Sequence, residues 1–173
     1  GAGKSHMDKY GTTMKDFAKI RAKASKHASK NPLALFKKEV SEEEVLNSPI
    51  MWPGVMTRLM ACPPTCGGAA AILVSEKFAK KHNIDASVKI LAQSMTTDYE
   101  STFAEKDMMQ LVGYDMTKEA ARDVYSQTGV DVQDVDVVEL HDCFAHNELI
   151  TYEALGLCEE GEAQKFVHDG NNT

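Results

Sequence analysis

Apolar residues are sparse over positions 1–50 of this chain, gather into short runs between 56 and 94, and become regular after 117. Met14, Phe17, Ala18, Ile20, Arg21 and Ala24 give a partial stripe that predicts a helix over Thr13–Lys30. Asn31-Pro32 ends it, because the residue before a proline avoids the helical region. Ser41 caps a second short helix whose first turn holds Glu42, Glu43 and Glu44, and Ser48-Pro49 stops it. This first stretch carries too little apolar surface for a core of its own. It reads as an excursion packed on something else.

Met56–Cys62 reads as a short extended run, broken by Pro63-Pro64-Thr65. Gly67-Gly68 and Ala69-Ala70-Ala71 permit close backbone packing. Ala70–Val74 is then predicted as a strand covered on both faces, with a helix running from Gly68 as the alternative. Ser75 opens a short helix, SEKFAKKHNI. Val88–Ser94 predicts a strand, followed by a polar connection with a short helix near Glu105–Val112. Thr117 caps a helix to Thr128, with Ala120, Ala121, Val124 and Tyr125 inward and Gly129 as its stop. Val130–Asp134 is a loop, Val135–Leu140 a strand, and Asn147–Leu155 a helix that pairs Leu149 with Tyr152 and Ile150 with Ala154. Which pair faces the core stays open. From Val88 onward the order β, helix, helix, β, helix favours an α/β sheet.

Charge changes the picture only at the start. The net charge is −7, which argues against a nucleic-acid partner because phosphate binding needs a basic field. Residues 1–38 nevertheless hold ten Lys or Arg against two Asp. Such an arm suits a phosphate-bearing small molecule or is simply a solvated helix face. No apolar run reaches about 18 residues, so no transmembrane helix is expected. Gly1–Met7 lacks an apolar signal core and does not begin with Met. It reads as a vector-derived leader or as the interior of a longer chain, and HDGNNT closes the sequence on uncapped turn residues.

The candidate chemistry sits in VDVVELHDCFAHNELITYEALG, Val135–Gly156. A strand that runs through a polar, thiol-bearing turn into a helix is where open α/β sheets place ligands. Cys143 precedes a helix N-terminus, which favours the thiolate. His141 offers an N–H for an oxyanion or a water. His146 and Glu148 add titratable groups, and Asp142 fits a helix cap or the orientation of a histidine. The bland alternative for Cys143 is a small buried hydrophobe. Cys62-x3-Cys66 has a spacing that zinc knuckles tolerate, but no second pair follows it, so no metal is expected. Cys158 reads as structural.

HDCFAHNELITYEALGLCEEGEA closely resembles the sterol-carrier-protein type of thiolase, in which HDCF, NEL, TYEALGL and an acidic glycine turn follow one another. The resemblance extends through AGKSHMDKYGTT, TRLMACPPTCGGAAAILVSEKFAKKH, ILAQSMTTDYESTF and GYDMTKEAARDVYSQTGVDVQDVDVVELHD. It implies an α/β, layered thiolase-like fold with mixed sheets covered by helices, incomplete in this chain. It assigns 1–57 to a loop-domain segment, 58–86 to the end of the N-terminal half and 87–173 to the first part of the C-terminal half. It implies an acyltransferase that cleaves 3-oxoacyl-CoA with CoA in peroxisomal fatty-acid or sterol side-chain β-oxidation. CoA is then a substrate, no cofactor is held permanently, and the parent protein is a homo-oligomer.

By resemblance, Cys143 is the acid/base thiol and His141 stands where other thiolases use Asn to position a water in the oxyanion hole. Phe144 lines the acyl pocket, while Asp142, Asn147 and Glu148 support the turn. Lysines and arginines of Lys15–Lys38 fall in the segment that shapes the CoA site. Neither the nucleophilic-cysteine motif nor a Gly-His-Pro histidine occurs here, so the chain reads as an internal fragment, inactive and poorly stable alone. Cys66 stands beside Gly67 where the family pattern often carries an acid. A non-catalytic CoA- or acyl-binding relative, associated with lipid transfer, is the alternative function.

Overall fold

In chain order the elements are α1 (Ala2–Tyr10), α2 (Met14–Ser29), α3 (Glu42–Leu46), β1 (Ile50–Trp52), β2 (Met56–Thr57), α4 (Glu76–His82) and α5 (Glu100–Ala104). They continue with α6 (Met108–Leu111), α7 (Tyr114–Thr128), α8 (Ala145–Ala154) and α9 (Ala163–His168). Single 3-10 turns occupy Arg58–Met60 and Val132–Asp134. These assignments come from a computed structural model, which describes residues 1–104 and 106–173.

Local chemistry sets the helix starts. The Asp16 carboxylate accepts from the Thr13 N–H at 2.6 Å, and Ser41 and Glu44 bond each other's backbone N–H at 3.1 and 2.8 Å. Such reciprocal bonds satisfy donors that a helix start leaves free. Ser75 Oγ accepts from the Phe78 N–H at the head of α4. The helix expected from Thr117 begins earlier, at Tyr114, because Gly113 adopts φ +91 and turns the chain into it. The helix expected near Glu105–Val112 reduces to α6 at Met108–Leu111; Glu105 itself lies outside the described residues.

The core is built around α8. Phe17, Ala18 and Ile20 of α2, Val45 of α3, Met60, and Ala163 and Val167 of α9 close over its Leu149 and Tyr152. On the other side Ile150 and Ala154 meet Met109 and Tyr114. Both candidate pairs of the helix are therefore buried, which fits a segment covered all round. The first fifty residues do pack on another element, and that element is α8. Helix α1 joins them through Gly3, where an added Cβ would lie 2.2 Å from the His146 ring. His6, fully buried in α1, donates from Nε2 to Glu153 at 3.0 Å, and its Nδ1 pairs with the Thr12 hydroxyl at 2.7 Å.

Strand pairing among the described residues is limited to the antiparallel β1–β2 hairpin and one isolated bridge, Ala61↔Phe144. The stretches expected as strands at Ala70–Val74, Val88–Ser94 and Val135–Leu140 form no ladder here. A strand exists only through a neighbour that takes its N–H and C=O groups. Among the described residues none lies alongside, and most apolar side chains of these stretches stand open, with Ile72 92% exposed, Val88 91% and Val137 78%, while Leu140 packs against the core.

Candidate active site

Residues His141–Phe144 form the turn that feeds α8, and it is tied from two sides. Asn147 Nδ2 donates to the His141 carbonyl at 2.6 Å, and the Cys62 N–H donates to the Cys143 carbonyl at 2.9 Å. The bridge between Ala61 and Phe144 continues the second tie. The turn is thus clamped between the first turn of α8 and the segment after β2.

Two cavities of about 390 Å³ each meet at this turn, and His141 and Cys143 line both. One is bounded by Arg21, Phe36, Cys62, Pro63 and Asp142. The other is mainly apolar, with Trp52, Met56, Met108, Val112 and Phe144 on its walls. Arg21 comes from the basic segment in which several cations were candidates. Lys23 lines neither of these two cavities; it is paired with Glu148, whose carboxylate also accepts from the Tyr152 hydroxyl. Asp142 lies close enough to Arg21 to favour its charged form, against burial, which lowers that guanidinium's pKa.

Cys143 is half-buried, and burial pushes its thiol above the ordinary value, with Cys62 and Asp142 adding to the rise. The helix start was expected to lower it. Backbone N–H groups at Phe144 and Cys143 do pull that way, but desolvation outweighs them. Burial thus favours the protonated form of this thiol.

His146, a candidate titratable group, is withdrawn from solvent. It donates from Nε2 to the Val55 carbonyl at 3.0 Å and stacks on Phe17 at 4.0 Å, and burial lowers its pKa. Glu148 is buried and paired with Lys23, and it also lines the cavity edged by Arg21. Cys158 is also sequestered, its thiol pushed up to about 12 by burial. His141, Asp142, Cys143, Phe144 and Asn147 share one turn; Cys66 stands exposed in the loop after Pro63-Pro64. Among the described residues no group of three His, Cys, Asp or Glu is placed to hold a metal ion, and no helix is long and apolar enough to cross a membrane.

Arg21, Trp52, Met56, Cys62, Met108 and Val112 were not singled out as site residues from sequence. Pro53-Gly54, with Gly54 at φ +72, was the available signal for the hairpin that brings in Trp52 and Met56. Arg21 sits one residue past Ile20, on the edge of the apolar stripe of α2, where only the packed position of that helix decides what it faces.

Residues 97–173 match the family model described as thiolase C-terminal domain-like. Sterol carrier protein 2 of Bos taurus is 53% identical over 173 residues, covering 99% of this chain and 32% of that protein. Over nearly its whole length the chain is similar to proteins of the thiolase superfamily. Benzoylsuccinyl-CoA thiolase subunit BbsB of Thauera aromatica is 38% identical over 97% of the chain and 42% of that subunit. The solved structure of an Ltp2-ChsH2(DUF35) aldolase superposes with TM-score 0.80 at 26% identity, covering 98% of this chain and 44% of that one. The fold is α/β and thiolase-like, with only the hairpin paired among the described residues. The chain spans about a third of the bovine protein and about two-fifths of the bacterial one.

Proposed function

We propose that this chain carries the acid/base half of a 3-oxoacyl-CoA thiolase site, working in peroxisomal fatty-acid or sterol side-chain β-oxidation. The observation that carries the reading is the half-buried thiol of Cys143 standing with His141 between a cavity edged by Arg21 and an apolar one. In thiolysis the C–C bond of the 3-oxoacyl-CoA breaks and the released α-carbon needs a proton. Cys143 Sγ–H supplies it and recovers a proton from the incoming CoA thiol. His141 orients a water toward the thioester oxygen where negative charge develops. Phe144, with Trp52 and Met56, gives the acyl chain an apolar wall, and Arg21 offers charge toward CoA phosphates. CoA enters as a substrate, and no permanently bound cofactor is needed. The nucleophilic cysteine and the Gly-His-Pro histidine are supplied from outside residues 1–173, within a homo-oligomeric parent.

The alternative is a protein that binds acyl-CoA without turning it over, and the name of the bovine relative, a sterol carrier, favours it. One experiment separates the two. In the protein that carries this chain together with its flanking segments, Cys143→Ala lowers thiolytic kcat by about 10²–10⁴-fold, the usual weight of a general acid. Unchanged turnover in the variant overturns the assignment of Cys143. Tight acyl-CoA binding without turnover in the unmutated protein selects the alternative.

A further inference from the structure

Cys62 plays no part in the acid/base reading, yet the backbone sets it against Cys143. Ala61 and Phe144 form an antiparallel bridge, and the Cys62 N–H donates to the Cys143 carbonyl at 2.9 Å. One step outward from that bridge, Cys62 and Cys143 are the next residues across from each other, joined by that single backbone bond. Residues so paired send their side chains to the same face, with Cα atoms about 5.5 Å apart. Disulfides span Cα separations of about 4.4–6.8 Å, a range that includes the spacing usual for residues facing each other across an antiparallel pair. Both residues line the same cavity. Cys62 is exposed and Cys143 half-buried, and both are free thiols.

We propose that Cys62 and Cys143 form an opposed dithiol that a hydroperoxide oxidises to a cross-strand disulfide. With hydrogen peroxide, the Cys62 thiolate attacks the O–O bond; an S–O bond forms, the O–O bond breaks and the departing hydroxide leaves as water after protonation. Cys143 then attacks the Cys62 sulfur. The S–S bond forms, the S–O bond breaks, and the Cys143 proton goes to the hydroxide, which leaves as a second water. The two sulfurs lose two electrons and the peroxide takes them. Cys62 reacts first because it is the accessible thiol, while burial keeps Cys143 protonated. Cys66 is the rival partner for Cys62, but Pro63-Pro64 stiffens the short loop between them. Formation of the bond needs only the two opposed thiols, so it is tested separately from catalysis.

In a Cys66→Ala/Cys158→Ala variant only the opposed pair remains. Treated with hydrogen peroxide, that variant loses both free thiols together, with a mass lower by two hydrogens, and a thiol reductant restores them. Adding Cys62→Ala slows oxidation of Cys143 on the order of tenfold, because the buried thiol offers little thiolate. In the unmutated chain, fragmentation of the digest under non-reducing conditions gives a Cys62–Cys143 link, which keeps the test open if the variant folds badly. Two surviving free thiols, higher oxides on Cys62 with Cys143 unreacted, or a Cys62–Cys66 link overturn the proposal.

Discussion

Two regions of the molecule have similar apolar content and opposite fates. Around α8, Leu149, Phe17, Val45 and Val167 are fully buried. In the stretches 70–74, 88–94 and 135–140, side chains of the same kind stand open, with Leu73 74% and Leu91 71% exposed. The first region closes because its helices satisfy their own backbone groups and need only an apolar face to meet. Apolar strands need a paired backbone as well as a covered face, and none of these three has one among the described residues. Hydrophobicity therefore marks both regions as core, and hydrogen-bond supply decides which one becomes core.

The widest contrast lies in hydrogen exchange. Amides of α2 and α8 exchange orders of magnitude more slowly than those of 88–94 and 135–140. Equal protection in the two regions would break the comparison. The open apolar rows also make the chain associate with rising concentration. A monomer with a sharp, reversible melt would contradict that.

Next in size come substitutions that sharpen the contrast. Lys23→Met leaves the buried Glu148 carboxylate without its cation and costs about 3–5 kcal/mol, read as lost protection of the α8 amides. Leu149→Ala opens a cavity in the closed region at a cost of about 2–5 kcal/mol. Val137→Ala, in the open region, changes stability by no more than about 0.5 kcal/mol. A large loss at Val137 would mean that the open region is covered in solution.

The smallest effect is a pH dependence seated in the closed region. Burial holds the folded His146 below its ordinary value of 6.5. A depressed histidine contributes stability that is complete above the unfolded value and is lost as pH falls through the folded one. Protection of α8 is therefore weaker at pH 5 than at pH 7.5, and the difference shrinks in His146→Gln. No change on that substitution would place the titration elsewhere.

Helices were legible in the sequence wherever a cap and a stripe coincided. Thr13, Ser41 and Ser75 mark real starts, and Gly129 marks a real stop. Helix α1 escaped notice because its packing depends on Gly3 beside His146 and on His6 reaching Glu153, which are contacts between residues far apart in sequence. The three strands were read from apolar runs, but a run cannot say whether a neighbouring strand is at hand. The turn bearing Cys143 was legible from its own residues. Arg21, Cys62 and the hairpin residues that complete its surroundings were not, because only tertiary packing brings them there. The direction of the Cys143 shift is hidden in the sequence for the same reason: a helix start is visible locally, and burial is not.

The central claim is that Cys143 moves the proton at the α-carbon. Incubating acetyl-CoA in deuterated water with the protein that carries this chain and its flanking segments measures that step directly, through deuterium entering the acetyl methyl group. The account predicts steady incorporation by the unmutated protein and its loss in Cys143→Ala, while acetyl-CoA binding is retained. Incorporation at an undiminished rate in Cys143→Ala would contradict it.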